Sequence, residues 1–490
     1  MRHFIAPAVV AAALLAPDVA AQIGLTVADP HLGTSSGLGA TLDACIGSEL
    51  DFQLQGPFGQ VGLLAISGNP AAPGGGIPGG FPLVVDPTTA IFPVAGPFNA
   101  LGHLNWSTPL PVSLPAGANL YCQGAGIEPA TGALSLSNPV VLTTFLPEPG
   151  DLPLLSPGTH VGLIYSDPPL SALAVMDAAW SECLAAGVDG FELAISWSDI
   201  EVAPGIYDTT YLDTLLILLQ IAGLETFLNV ATIDTVNLSL PADLVDPSDP
   251  QELAPGLTWD HPLVVLRFRE VLDRVAPLLV ERDGFFLSVG NEVDTYLGSR
   301  PEQQVPYASF VAAAADYTHQ LEPKLGVGST VTLNALFQTP ALFELLRQVG
   351  DNVPFTYYPV NGDGTVMDPS VVPGHIAAMA AAVAPRPLIL QELGYPSGWQ
   401  QLGGIGSSLE RQRQFVENAF AAFASAGNVR FASFLQLGDW GPAELALFQL
   451  YYGITDPLFL EFLGSLGFRE HFTGAPKPAY DQFLFGLAGL

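Results

Sequence analysis

From residue 158 onward, two hydrophobic patterns alternate along the chain. Short apolar runs bounded by turn residues predict buried strands at 161–166, 191–197, 225–233, 285–291, 326–332, 353–360, 387–393 and 429–437. Between the runs, apolar residues recur at helical spacing. Leu173, Met176, Trp180, Cys183 and Leu184 predict one helix, with Gly187 as its stop. Further helices are expected at 211–221, 260–280, 307–321, 340–349 and 373–383. Another runs through Phe415, Ala419 and Phe423, where Ser407 and Glu410 form a capping box, and a short helix closes the chain at 480–487. Eight strand–helix units in sequence predict an α/β fold of the (β/α)8 TIM-barrel type over 158–490. A doubly wound open sheet is the structural alternative. The first strand is not followed by the Gly-x-Gly phosphate loop that a nucleotide-binding version would carry.

The pattern before residue 148 is different. Short apolar pieces at 61–66, 81–85, 101–106, 119–122 and 139–145 lie between Gly, Pro, Ser and Thr clusters, with no helical period. This predicts an all-β, sandwich-like domain over 22–147. Residues 148–157 read as a Pro-stiffened linker. At the start, Arg2 and His3 precede an apolar stretch, Phe4 to Ala16, too short for a comfortable span. Val19-Ala20-Ala21 fits a cleavage site. The expectation is a signal peptide over 1–21 and a secreted or cell-surface protein. The later apolar window, 445–468, is interrupted by Gly453, Asp456, Pro457 and Glu461 and reads as core helix and loop, so no membrane span is expected.

Composition narrows the partners. Acidic residues outnumber basic ones 47 to 14, for a net charge of −33. Such a surface repels nucleic acid and anionic lipid and leaves neutral glycans compatible. An exported chain could pair Cys45 with Cys122, leaving Cys183 as a buried thiol. The eight histidines show no ligand spacing, so no metal site and no cofactor are expected. Gly33-Thr34-Ser35-Ser36-Gly37 fits the Gly-x-Ser-x-Gly pattern but lacks the strand and helix that a nucleophile elbow needs.

The candidate chemistry lies where two apolar strands stop. Phe285-Phe286-Leu287-Ser288-Val289-Gly290 ends in Asn291-Glu292, on the fourth strand. Leu388-Ile389-Leu390-Gln391 ends in Glu392, on the seventh, before Gly394-Tyr395-Pro396. In a closed barrel these ends face each other across the mouth. Two converging carboxyl groups can cleave a glycoside, one protonating the leaving oxygen and the other attacking the anomeric carbon, and a retaining enzyme needs the two groups about 5–5.5 Å apart.

These segments resemble glycoside hydrolase clan A, the retaining β/α-barrel glycosidases. Val289-Gly290-Asn291-Glu292-Val293 and Glu392-Leu393-Gly394-Tyr395-Pro396-Ser397 are similar to segments of plant-type β-1,3-glucanases and endo-β-1,4-galactanases. Tyr357-Tyr358-Pro359 resembles the galactanase pattern. Trp197-Ser198-Asp199-Ile200-Glu201 looks like the second-strand region of β-galactosidase and xylosidase families. The resemblance implies Glu292 as acid/base, Glu392 as nucleophile and a β-glycan substrate. It also implies Tyr358 orienting the nucleophile and Trp440 stacking under the sugar.

The implied chemistry sets physical demands. Glu292 needs a raised pKa, from burial and the charge of the nucleophile. Glu392 must ionise, which a hydrogen bond from Tyr358 favours. Asn291 can bond the sugar 2-hydroxyl. Trp197, Tyr296 and Trp399 fall near predicted strand ends as further aromatic candidates. The rival readings are a glycan-binding protein on an inactive barrel, a surface structural protein whose β-module is the working part, and a transglycosylase using the same two glutamates.

Overall fold

The structure is a computed structural model of the chain. It describes strand and turn segments between residues 24 and 145, and residues 152–490 except 167, 401, 402, 454 and 455. The expected export segment, residues 148–151 of the expected linker and all of the expected strand 81–85 except Val85 lie outside the described residues. The chain divides into two compact units, one of Pro149–Leu321 with Leu325–Leu490, the other of Arg2–Glu148 with Glu322–Lys324.

The N-terminal unit contains two sheets. Gly33–Ser36, Gly24–Asp29, Glu49–Gln55 and His103–Pro109 form one, in that order. Ala40–Cys45, Leu134–Phe145, Asn119–Ile127, Val61–Ser67 and Ile91–Pro97 form the other. Leu50, Phe52 and Leu54 alternate on one strand and are buried in a single cluster with Leu64, Cys122, Val140 and Leu142 of the second sheet. The expected Cys45–Cys122 disulfide is not formed, and Cys122 is a free buried thiol. Register explains why. Strand 134–145 lies between the two cysteine strands, pairing Cys45 with Phe145 and Cys122 with Val140. Two strand spacings plus that offset exceed the roughly 7 Å that a disulfide can bridge. Cys183 is also a free buried thiol, as expected.

The second unit has a TIM-like α/β fold. Its strands are the first (His160–Leu163), second (Gly190–Ser196), third (Glu225–Asp234), fourth (Gly284–Asn291), sixth (Phe355–Tyr357), seventh (Leu388–Leu393) and eighth (Val429–Phe434). The fifth position is split into Gly326–Gly328, which pairs with the fourth strand, and Val331–Thr332, which pairs with the sixth. All these pairings are parallel, and the eighth strand returns to the first. Helices fall where the periodicity places them. Helix Pro262–Glu281 starts with Pro at its first turn, its His261 cap accepting from the Leu263 amide. Its Val264, Phe268, Val271, Leu272, Val275 and Leu279 form one buried stripe. The cap of helix Leu409–Ala426 is Ser408, which accepts from the Arg411 amide, and not the expected Ser407, which bonds the Pro396 carbonyl.

The N-terminal ends of the strands are plugged by aromatic rings. Phe227 stacks between Phe286 and Phe431, with Leu152, Leu155 and Ile389 around them. Glycines on neighbouring strands make the room: a Cβ at Gly190 would lie 2.6 Å from the Phe431 ring, and one at Gly326 would lie 2.6 Å from Phe286. With this end closed by carbon, polar chemistry is confined to the other end. Window 445–468, expected from its hydropathy to be core helix and loop, is core only in part, at residues such as Leu466 and Phe468. It forms helices Pro442–Tyr452, with no buried residue, and Pro457–Leu463. Phe448, Tyr452, Phe459 and Phe462 of these helices line a cleft. Among the described residues no helix is long and apolar enough to cross a membrane.

Candidate active site

A cavity of about 1110 Å³ opens at the C-terminal ends of the barrel strands. Asn291, Glu292, Tyr358, Glu392 and Trp440 all line it.

The fourth strand delivers Glu292 through a bend. Phe285 to Val289 are buried, then Gly290 takes φ +91° and Glu292 takes φ +46°. The left-handed region is costly for a non-glycine residue and persists where the surroundings impose it. The surroundings here are tight, since a Cβ at Gly290 would sit 2.5 Å from the Tyr307 hydroxyl. The glutamate is gripped from both sides: Thr356 Oγ1 donates to its Oε1 at 2.6 Å and Thr235 Oγ1 donates to its Oε2 at 2.9 Å.

Thr356 also locates the second carboxyl group, because its register partner on the seventh strand is Glu392. Adjacent strands lie about 4.8 Å apart, so the grip on Glu292 is one strand spacing from the Glu392 backbone. The Tyr358 hydroxyl donates to Glu392 Oε2 at 2.7 Å, and Gln391 Nε2 donates to its Oε1 at 3.3 Å. The same Gln391 amide donates to Asn291 Oδ1 at 3.0 Å, linking the ends of the fourth and seventh strands. Asn291 Nδ2 in turn donates to Asp234 at the end of the third strand, 3.2 Å.

Electrostatics separate the two glutamates. Burial, and then the negative charge of Glu392, push the Glu292 carboxyl up to about 8, against opposing hydrogen bonds from Thr356 and Thr235. Burial also holds Glu392 above the ordinary carboxylate range. The expected hydrogen bond from Tyr358 lowers it, but burial outweighs that bond. Repulsion between two carboxylates is mutual, so the cleft resists the ionisation of both at once. Burial pushes the Tyr358 phenol well above its usual range, so it remains a donor.

The aromatic candidates divide. Trp440 is half-buried, lines the cavity and meets Phe448 edge-on with ring centroids 5.2 Å apart. The preceding Asp439 is held by the Lys477 ammonium at 2.6 Å. Trp197, expected as a substrate contact, is instead fully buried. The chain turns into helix Trp197–Ile200 directly after the second strand and carries the indole under Phe268, 5.0 Å between centroids. Its Nε1 donates to buried Glu201, which pairs with Arg267 at 2.8 Å. Trp197→Ala is therefore expected to destabilise the barrel by about 3–5 kcal/mol. Chemical denaturation measures it, and a loss below about 1 kcal/mol would contradict this placement. Tyr296 is buried too, with its hydroxyl on the Gln251 carbonyl, while Trp399 is exposed and outside the cavity lining.

Several site residues escape the sequence reading: Thr235, Asp234, Thr356, Gln391 and Tyr452. Gln391 had a signal, since an amide precedes Glu392 just as Asn291 precedes Glu292. A second cavity of about 410 Å³ shares Glu292, Tyr358, Phe459 and Phe462 with the first but not Glu392, and is otherwise lined by residues such as Asn334, Thr356 and Met367. Among the described residues no cluster of His, Cys, Asp and Glu is arranged to hold a metal ion.

No family model and no curated protein matches the chain. Solved structures do. A variant of the GH5_18 protein of Bifidobacterium longum subsp. longum, in complex with Manβ1-4GlcNAc, aligns with TM-score 0.53 and 16% identity, covering 68% of this chain and 78% of that one. The GH5_18 protein itself aligns at 0.52 and 15%, covering 68% and 79%. Exo-β-1,4-mannosidase Op5Man5 from an Opitutaceae bacterium aligns at 0.50 and 15%, covering 68% and 59%. At such identities the likeness is one of fold, and the fold this chain shares is the β/α barrel of GH5 glycoside hydrolases.

Proposed function

We propose that this protein is an exported retaining glycoside hydrolase that cleaves β-linked poly- or oligosaccharides by double displacement. Glu292 serves as acid/base and Glu392 as nucleophile, on a (β/α)8 barrel preceded by a sandwich-like accessory domain. The observation that carries this reading is the pair of half-buried carboxyl groups from the fourth and seventh strands in one cavity, the first raised to about 8 partly by the charge of the second.

The steps follow from the hydrogen bonds. Ionised Glu392, steadied by Tyr358 and Gln391, attacks the anomeric carbon. Glu292 gives its proton to the glycosidic oxygen as that bond breaks, and the leaving sugar departs toward the second cavity, which touches Glu292 alone of the pair. A glycosyl ester on Glu392 remains. Forming it removes the Glu392 charge, so Glu292 becomes a stronger acid and holds its proton less tightly. Its carboxylate then takes a proton from water as the water attacks, freeing the sugar and restoring Glu392. Asn291 and Trp440 contact the sugar in the cleavage subsite.

Thr356 offers a test of the Glu292 role. Its hydroxyl lowers the Glu292 pKa, so Thr356→Val is expected to move the alkaline limb of kcat/KM to higher pH. An unmoved limb would assign that limb to another group.

The direct test is activity on β-1,3-glucan, β-1,4-galactan, mannan and aryl β-glycosides. β-Mannosides belong in the panel because one fold relative is an exo-β-1,4-mannosidase. Turnover of at least one member is expected. Binding across the panel without any turnover would favour a glycan-binding protein. The export reading rests on the N-terminal pattern, and it predicts a mature chain starting at Gln22 in culture medium, read by N-terminal sequencing.

A further inference from the structure

Two polar side chains in the barrel wall have no part in the steps above. Glu192 on the second strand is 5% exposed, and its Oε1 has no hydrogen-bond partner among the described residues. Asn229 on the third strand is 1% exposed, and its Oδ1 is likewise unpartnered. Register pairs Glu192 with Phe227 and Ala194 with Asn229. Side chains two residues apart share a face of a strand, so Glu192 and Asn229 project to the same side of the sheet. Both line the cavity that holds Glu292, Glu392 and Trp440.

Buried polar atoms are almost always bonded, and an unbonded one needs a reason. The cavity supplies a reason in its lining. Asp177, Asp199, Asp234 and Glu444 stand around it in addition to the three glutamates, and no Lys, Arg or His is among the lining residues. Any ligand must bring donors for the free oxygens, and a negative charge on it would meet only like charges.

We propose that Glu192 and Asn229 form the floor of the donor-sugar subsite, where they hydrogen-bond ring hydroxyls of an uncharged sugar, and that the cleft rejects donor sugars carrying a carboxylate. This rests on the glycosidase reading and adds the class of sugar to it. Burial, followed by the charges of Glu392 and Asp234, raises the Glu192 carboxyl well above its ordinary range. A neutral carboxyl group offers one O–H donor and spare acceptor capacity, which match a hydroxyl that donates and accepts. Leu in its place would keep the volume and lose both functions.

The experiment uses the aryl β-glycoside that the wild type turns over best, its monodeoxy analogues and the corresponding aryl β-uronoside. The wild type is expected to prefer the parent over the uronoside by about 100-fold or more, and to lose about 10- to 100-fold on at least one monodeoxy analogue. Glu192→Leu should lower kcat/KM on the parent by a similar factor and lose nothing further on that same analogue. Glu192→Gln, which keeps a donor and an acceptor, should stay within about 10-fold of wild type. Asn229→Ala should show the same pattern on an analogue lacking its own hydroxyl. Two results would overturn the proposal: equal turnover of the uronoside, or a Glu192→Leu defect of the same size on the parent and every analogue, which marks a purely structural role. Both leave the glycosidase reading standing. No turnover of any uncharged glycoside by the wild type would remove that reading and this one with it.

Discussion

Glu392→Ala is expected to lower kcat/KM on aryl β-glycosides by on the order of 10⁴–10⁶, and azide is expected to restore turnover. The substitution opens a hole on the face from which the nucleophile attacks. Azide entering there meets the anomeric carbon directly, with Glu292 still protonated to assist the leaving group. The product is then an α-glycosyl azide from a β-glycoside, a single inversion. Tyr358 and Gln391, which donate to Glu392, remain to bond the incoming anion. Loss of activity alone would fit any disruption of the cleft. The inverted azide product identifies the missing carboxylate as the attacking group, and azide-independent residual activity at the wild-type rate would remove Glu392 from that role.

Glu292→Ala should behave differently in three ways. Substrates with good leaving groups need little protonation, so their first step survives, while poor leaving groups lose about 10²–10⁴-fold. Azide now enters from the water side and attacks the glycosyl ester on Glu392, giving the β-glycosyl azide, with configuration retained. The pH profile changes as well. Activity in the wild type requires Glu292 protonated, so kcat/KM falls as pH rises through about 8. The variant has no such group to lose, and that limb should vanish. Persistence of the limb near 8 in Glu292→Ala would assign it elsewhere.

Much of the site was legible because of where polar residues interrupt apolar runs. Asn291-Glu292 and Gln391-Glu392 follow buried strands, and a carboxyl group in that position leaves the core at the strand end. The parallel α/β pattern was legible for the same reason: each buried strand is bounded by turn residues and followed by a helical period. Glu192 shows the limit of such reading. It sits inside Phe191-Glu192-Leu193, where one acid in an apolar strand carries no sign of which face it takes, and only the register with the third strand directs it into the cavity. Thr356 is a short hydroxyl residue in a buried strand, and its importance comes from Glu292, 64 positions away. Trp197 was misread because proximity to a strand end does not give direction; one helical turn carries the indole inward. The helical part of window 445–468 was misread for the converse reason. Hydropathy is blind to whether an apolar side chain faces a core or a cleft, and here Phe448, Tyr452, Phe459 and Phe462 face the cleft. Strand Glu49–Gln55 was legible but overlooked: Leu50, Phe52 and Leu54 alternate with polar residues throughout it.

Double displacement through Glu392 has its signature in the configuration of the sugar released first. Proton NMR during hydrolysis of an aryl β-glycoside resolves the anomeric signals before mutarotation mixes them. The β-anomer is expected to appear first, with the α-anomer growing later at the mutarotation rate. Initial release of the α-anomer would mean a single displacement by water and would contradict the assignment of Glu392 as nucleophile.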